Sequence, residues 1–172
     1  MISDFICGGQ NMYDLIIKNG LVIDGTGSPG FHSDVAILNG KIARVARNIK
    51  SESKEVIDAT GLTVTPGFID SHSHSDTCIF QYSDMREKIE QGITTSVGGQ
   101  CGSTCAPVSK DVTDENAVQI GEYGKSNVLY KTFGTMAQAA KNVALGSNLI
   151  SLVGHGALRG AAMGNEDRVP TD

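Results

Sequence analysis

The chain changes its grammar at Thr65-Pro66-Gly67, and that switch limits the fold more than any other feature. Before it, from Tyr13 to Val64, run short β-type segments separated by turn residues: YDLIIKNG, LVIDG, DVAILNGKIARVA and EVIDATGLTV. Asn19-Gly20 and Asn39-Gly40 sit between apolar runs, and an Asn-Gly pair supplies the positive φ angles of a two-residue hairpin turn. Both pairs are therefore expected to be hairpin turns of a β-rich module. After the switch, GFIDSHSH reads as a short strand and SDMREKIEQG as a short helix, with Met85 and Ile89 four apart and Gly92 as its stop. ITTSVGGQC reads as a second strand. FGTMAQAAKNVALG reads as a helix with Phe133, Met136, Ala137, Ala140 and Val143 on one stripe, and NLISLVGHG as a third buried strand. Strand, helix, strand, helix, strand is the pattern of parallel α/β structure, which places its chemistry at the C-terminal ends of the strands.

Charge and length narrow the classes. The 172 residues carry 14 Lys+Arg against 19 Asp+Glu, a formal charge of −5, which argues against nucleic acid or an anionic membrane as the main partner. The length falls short of the roughly 250 residues of a closed eight-fold β/α barrel. The opening MISDFICGGQN holds an early acidic residue and no apolar run of signal-peptide length, and no stretch is long enough to span a bilayer. A soluble cytoplasmic protein is expected. Cys7, Cys78, Cys101 and Cys105 are then expected as reduced thiols, and residues 1–12 as a loosely attached extension.

Several segments invite chemical readings. Gly25-Thr-Gly27-Ser-Pro-Gly30 spells a dinucleotide fingerprint, but Pro29 lies inside it and FHSDVAIL leads into a strand, so no helix N-terminus meets a pyrophosphate. It reads as a turn. His72-Ser73-His74 is the sharpest signal: residues i and i+2 of a strand share a face, so both imidazoles can converge on one ion, or they are two histidines of a polar loop. Cys101 closes the next strand on the same rim, either as a thiolate ligand or as a small residue in a tight turn. Cys105 is a weaker candidate, having no second cysteine pair with which to complete a structural zinc site. His155 ends the third strand, followed by Arg159, and is either a further ligand or a hydrogen-bonding strut. Asp70 and Asp76 bracket the histidines as acceptors orienting the rings or as solvated loop carboxylates. His32 belongs to the β-module and has no assigned role.

Together these stretches resemble the N-terminal part of a metal-dependent amidohydrolase, most closely the D-aminoacylase or N-acyl-D-amino-acid deacylase family. PGFIDSHSHSD at 66–76, QGITTSVGGQCGSTCAPV at 91–108 and SLVGHGALRG at 151–160 carry the resemblance. It implies an α/β fold in which a β-sandwich module (13–64) leads into the first three β/α units of an incomplete TIM-like barrel (65–172). It implies metal ligation by His72, His74 and Cys101, with one tightly bound Zn2+ and room for a second. The family's two further histidine ligands and its general acid/base aspartate match no position here and are expected beyond residue 172. The activity implied is zinc-dependent hydrolysis of N-acyl-D-amino acids to a carboxylate and a D-amino acid. The alternatives are a non-catalytic truncated remnant or association module, self-associating through exposed barrel edges, and a cyclic-amide hydrolase of the dihydropyrimidinase type. The last leaves Cys101 unexplained.

Overall fold

A computed structural model describes residues 12–111 and 130–171. The expected extension at 1–12 therefore lies, except for Met12, outside the described residues, as does Cys7. Two compact units meet in sequence at Pro66/Gly67.

The first unit is one mixed five-stranded sheet built around β1 (Tyr13–Val22), with β2 (Phe31–Leu38) antiparallel on one side and β3 (Lys41–Ala46) antiparallel beyond it. On the other side of β1 lie β4 (Ser53–Asp58), parallel to its first half, and β5 (Thr63–Val64), parallel to its end. Asn39-Gly40 makes the expected hairpin, with φ of 52° and 70° between β2 and β3. Asn19-Gly20 does not. Asn19 takes the same left-handed conformation, φ 63°, but inside β1, where the pairing with β2 shifts between Ile17 and Gly20. It is a bulge that bends one long strand, and a positive φ serves either purpose. The neighbouring edge breaks at the same level: the amide of Ala59 donates to the Lys18 carbonyl at 2.8 Å and that of Leu21 to the Leu62 carbonyl at 3.0 Å. Gly20 lets this edge close, since a Cβ there would stand 2.5 Å from Cγ2 of Val64. Residues 23–30 form the loop between β1 and β2, with no helix.

Ile16, Ala36 and Ile49 form the core of this unit, with Tyr13 and Ala46 packed against them. Asp34, 5% exposed, is the polar counterpart. Its carboxylate accepts the amide of Asn19 at the bulge (2.9 Å) and the amide of Ile49 after β3 (2.8 Å). Alanine at position 34 would take the acceptor from the partly buried Asn19 amide and the buried Ile49 amide, so Asp34→Ala is expected to cost about 1–3 kcal/mol. Urea unfolding with an unchanged slope checks it, and a loss under about 0.5 kcal/mol would remove the carboxylate from the account of the bulge.

The second unit holds a three-stranded parallel sheet in the order β6 (Phe68–Asp70), β7 (Ile93–Gly98), β8 (Asn148–Ser151). α1 (Arg86–Ile89) lies between β6 and β7, α2 (Phe133–Ala140) between β7 and β8, and α3 (His155–Met163) follows β8. This is the expected alternation, with shorter elements. The helix read across SDMREKIEQG is one turn, because Met85 enters it from a left-handed conformation (φ 47°). The stripe of the longer helix runs past its end: Met136 is buried and Ala140 closes α2, while Val143 lies in the turn beyond. Thr132 caps α2 by accepting the amide of Thr135 at 3.1 Å. Among the described residues no helix is long and apolar enough to cross a membrane.

Candidate metal centre

The three parallel strands end side by side, and their exits are fastened together. The amide of Leu152 donates to the Gly98 carbonyl at 3.1 Å, the amide of Ser73 to the Val97 carbonyl at 2.9 Å, and the Gln100 side-chain amide to the Ser71 carbonyl at 3.0 Å. Side chains are excluded where the exits touch. A Cβ on Gly99 would lie 2.2 Å from the Leu152 carbonyl oxygen, and one on Gly154 would lie 2.4 Å from that of Gly102.

His72, His74 and Cys101 come together at this joint, one ligand atom from each lying within 4.8 Å of the others. Nε2 of His72 stands 3.2 Å from Sγ of Cys101, and the two imidazoles meet edge to face with centroids 5.9 Å apart. All three side chains are exposed. They are not held as the sequence suggests. β6 ends at Asp70, so both histidines lie in the bend beyond it, and their shared direction comes from that bend and not from strand alternation. Cys101 likewise lies past the end of β7, in a single 3-10 turn, at φ 55° and ψ 23°. That left-handed conformation is uncommon for a residue with a Cβ, and Gly99, just before the turn, and Gly102, its last residue, also have positive φ, 78° and 75°.

The other candidates separate clearly. Cys105 is half-buried, its S–H donates to the Asp76 carbonyl at 3.3 Å, and burial pushes its thiol up to about 11. A thiol held in that way stays protonated and serves the fold. Cys78 donates to the Ser75 carbonyl at 3.3 Å, and burial raises its pKa as well. His155 does not end a strand: it is the first residue of α3, and it is outside the cluster. His32 lies on β2 in the first unit.

Neither aspartate accepts from an imidazole among the described residues; both bind backbone instead. Asp70 accepts the His72 amide at 3.2 Å and pairs with Lys88 of α1 at 2.7 Å. The Lys88 ammonium, with the His72 amide behind it, holds the Asp70 carboxyl below the usual range. Asp76 is fully buried and accepts the Gly99 amide at 3.0 Å, and its burial raises its pKa. Lys88 and Gln100 were not singled out from the sequence. Gln100 had one signal, its place between Gly99 and the candidate cysteine, whereas nothing local marks Lys88 as the partner of a residue eighteen positions earlier.

Two imidazoles and a thiol are donors of the kind zinc takes, and three protein ligands with a further position open is the pattern of catalytic rather than structural zinc. The exposure of all three donors leaves such a position. The residues present fit the ion.

The model of the amidohydrolase family matches residues 55–171. Over 159 residues the chain is 36% identical to an N-acyl-D-aspartate deacylase of Alcaligenes xylosoxydans xylosoxydans, covering 92% of this chain and 32% of that one. A D-aminoacylase of the same organism is 34% identical over 167 residues, covering 93% and 33%. Among solved structures, an N-acyl-D-glutamate deacylase from Bordetella bronchiseptica, complexed with zinc and a phosphonate mimic of the tetrahedral intermediate, superposes with a TM-score of 0.80 at 34% identity. That match covers 93% of this chain and 33% of the other. The chain thus spans about a third of the length of the relatives it matches.

Proposed function

The chain belongs to the amidohydrolase family, and from that premise we propose that it serves the zinc-dependent hydrolysis of N-acyl-D-amino acids, with His72, His74 and Cys101 as metal ligands. The convergence of one thiol and two imidazoles at the ends of adjacent parallel strands carries the proposal. The likeness to three deacylases of N-acyl-D-amino acids, one of them seen with zinc, supports the substrate class. Cys101 favours this over a cyclic-amide hydrolase, in which the cysteine would have no task. In this reading residues 13–64 are part of a β-sandwich module and 65–172 the first β/α units of a barrel. The acid/base group and the remaining ligands then come from chain beyond these residues.

Zinc in such a site acts as a Lewis acid toward an amide carbonyl and lowers the pKa of water toward about 7. The residues of this chain supply its cradle. Asp70 fixes the start of the histidine bend through the His72 amide, and Lys88 fixes Asp70 in turn. Gln100 ties the cysteine turn to the same bend.

Turnover by the protein isolated from its source is the test. Release of D-methionine from N-acetyl-D-methionine, abolished by a chelator and restored by zinc, is the expected result. Equal rates on the L-isomer would overturn the substrate class, and indifference to the chelator would overturn the metal.

A further inference from the structure

Asp76 sits two residues after His74 in the single 3-10 turn Ser75–Thr77 and has no accessible surface. Its side-chain Oδ1 accepts the amide of Gly99, and its main-chain carbonyl accepts the S–H of Cys105. Gly99 and Cys105 stand on either side of Cys101, so this one residue grips both ends of the segment that carries the thiol. The fit is tight: a Cβ on Gly98 would lie 2.5 Å from Oδ1 and 2.9 Å from Cγ of Asp76, so only glycine leaves room for the carboxylate beneath the strand end. The side chain's second oxygen, Oδ2, is buried with no hydrogen-bond partner among the described residues. A burial of that kind is costly for the fold alone and calls for an explanation beyond it. Cys101 itself is in a left-handed conformation, φ 55°, of the kind that persists only where its surroundings over-determine it.

We infer that Asp76 is the positioning residue of the metal centre, a buried clamp that sets the distance between His74 and Cys101 by holding Gly99 and Cys105 together. The role rests on a cation being held by His72, His74 and Cys101. Asp76 touches neither the cation nor a substrate; it acts through the backbone of the cysteine turn. A clamp of this kind works through its hydrogen-bond acceptor and its shape, so asparagine, which keeps both, replaces it, and alanine does not.

The test is cobalt(II) binding by the protein, followed by the thiolate-to-cobalt charge-transfer band and by competition with a chromophoric chelator. Wild type gives the band. Asp76→Ala is expected to bind cobalt about ten- to a hundredfold more weakly, the usual effect of removing a group that orients a ligand, and to lose the thiolate band disproportionately. Asp76→Asn is expected to restore both. Asp34→Ala, which removes a buried aspartate of the first unit, is expected to lower stability and leave the band unchanged, separating position from stability. Should Asp76→Ala not fold, Cys105→Ala cuts the second tether without touching a ligand, and a weaker thiolate band there supports the clamp. An unaltered band in Asp76→Ala, or in Cys105→Ala when that variant decides, overturns the clamp and leaves the metal centre standing. Asp76→Asn failing as badly as alanine overturns positioning by the hydrogen bond. A wild-type protein without the band overturns the metal centre and the clamp together.

Discussion

Cys101→Ser is expected to weaken zinc binding by more than about a hundredfold, beyond what removing a ligand's supporting partner costs, while the fold stays intact. The substitution is nearly isosteric and keeps the left-handed turn, but it exchanges a soft thiolate donor for a hydroxyl that stays protonated near neutral pH. Cys101 is exposed and its sulfur meets Nε2 of His72 at 3.2 Å, so the change strips a donor from the cluster without opening a cavity in the core. Cys105→Ser is the informative contrast, because that thiol is half-buried and protonated and serine keeps its hydrogen bond to the Asp76 carbonyl, so zinc affinity is expected to stay. Chelator competition measures the affinity and thermal unfolding the fold. Zinc affinity unchanged in Cys101→Ser would remove the cysteine from the site.

Gly99→Ala is expected to destabilise the second unit by about 2–4 kcal/mol, combining a left-handed conformation unfavourable to a Cβ with overpacking. Gly99 has φ 78°, and an added Cβ would meet the Leu152 carbonyl oxygen at 2.2 Å, its carbon at 2.8 Å and Cγ2 of Thr104 at 2.9 Å. Backbone cannot swing aside as a side-chain end does. The exits of β7 and β8 must part, and the Gly99 amide moves away from Asp76. Metal affinity is thus expected to fall together with stability. Denaturant unfolding checks this, and a loss below about 0.5 kcal/mol would show that the joint is looser than described.

Much of this arrangement is legible in the chain, and what is not has a physical cause. The switch at Thr65-Pro66-Gly67 separates a β-rich stretch from an alternating one because turn chemistry and hydrophobic period are local properties. Asn39-Gly40 could be read correctly for the same reason. Asn19-Gly20 misleads because a left-handed Asn suits a hairpin and a bulge equally, and the choice is made by Ala59, Leu62 and Asp34, far along the chain. The ligand types and spacing at His72, His74 and Cys101 point to one another, yet strand alternation is not what joins them, since β6 and β7 both end before the ligands begin. His155 misleads because apolar residues continue past the end of β8, at Leu152 and Val153, up to Gly154, where the backbone starts α3 instead. The role of Asp76 is legible only in part. Its place two residues after His74 marks it as a candidate acceptor, but its partner is the Gly99 amide and not an imidazole, and only the register of the strand ends brings the two together.

The central claim is that one cation is held by two imidazoles and a thiolate of this chain, and X-ray absorption at the zinc edge of the zinc-loaded protein tests it most directly. A shell with sulfur at about 2.3 Å and imidazole nitrogen at about 2.0–2.1 Å is the expected result, with the sulfur contribution lost in Cys101→Ser. A shell of light atoms alone in the wild-type protein, or a sulfur signal that survives Cys101→Ser, would contradict it.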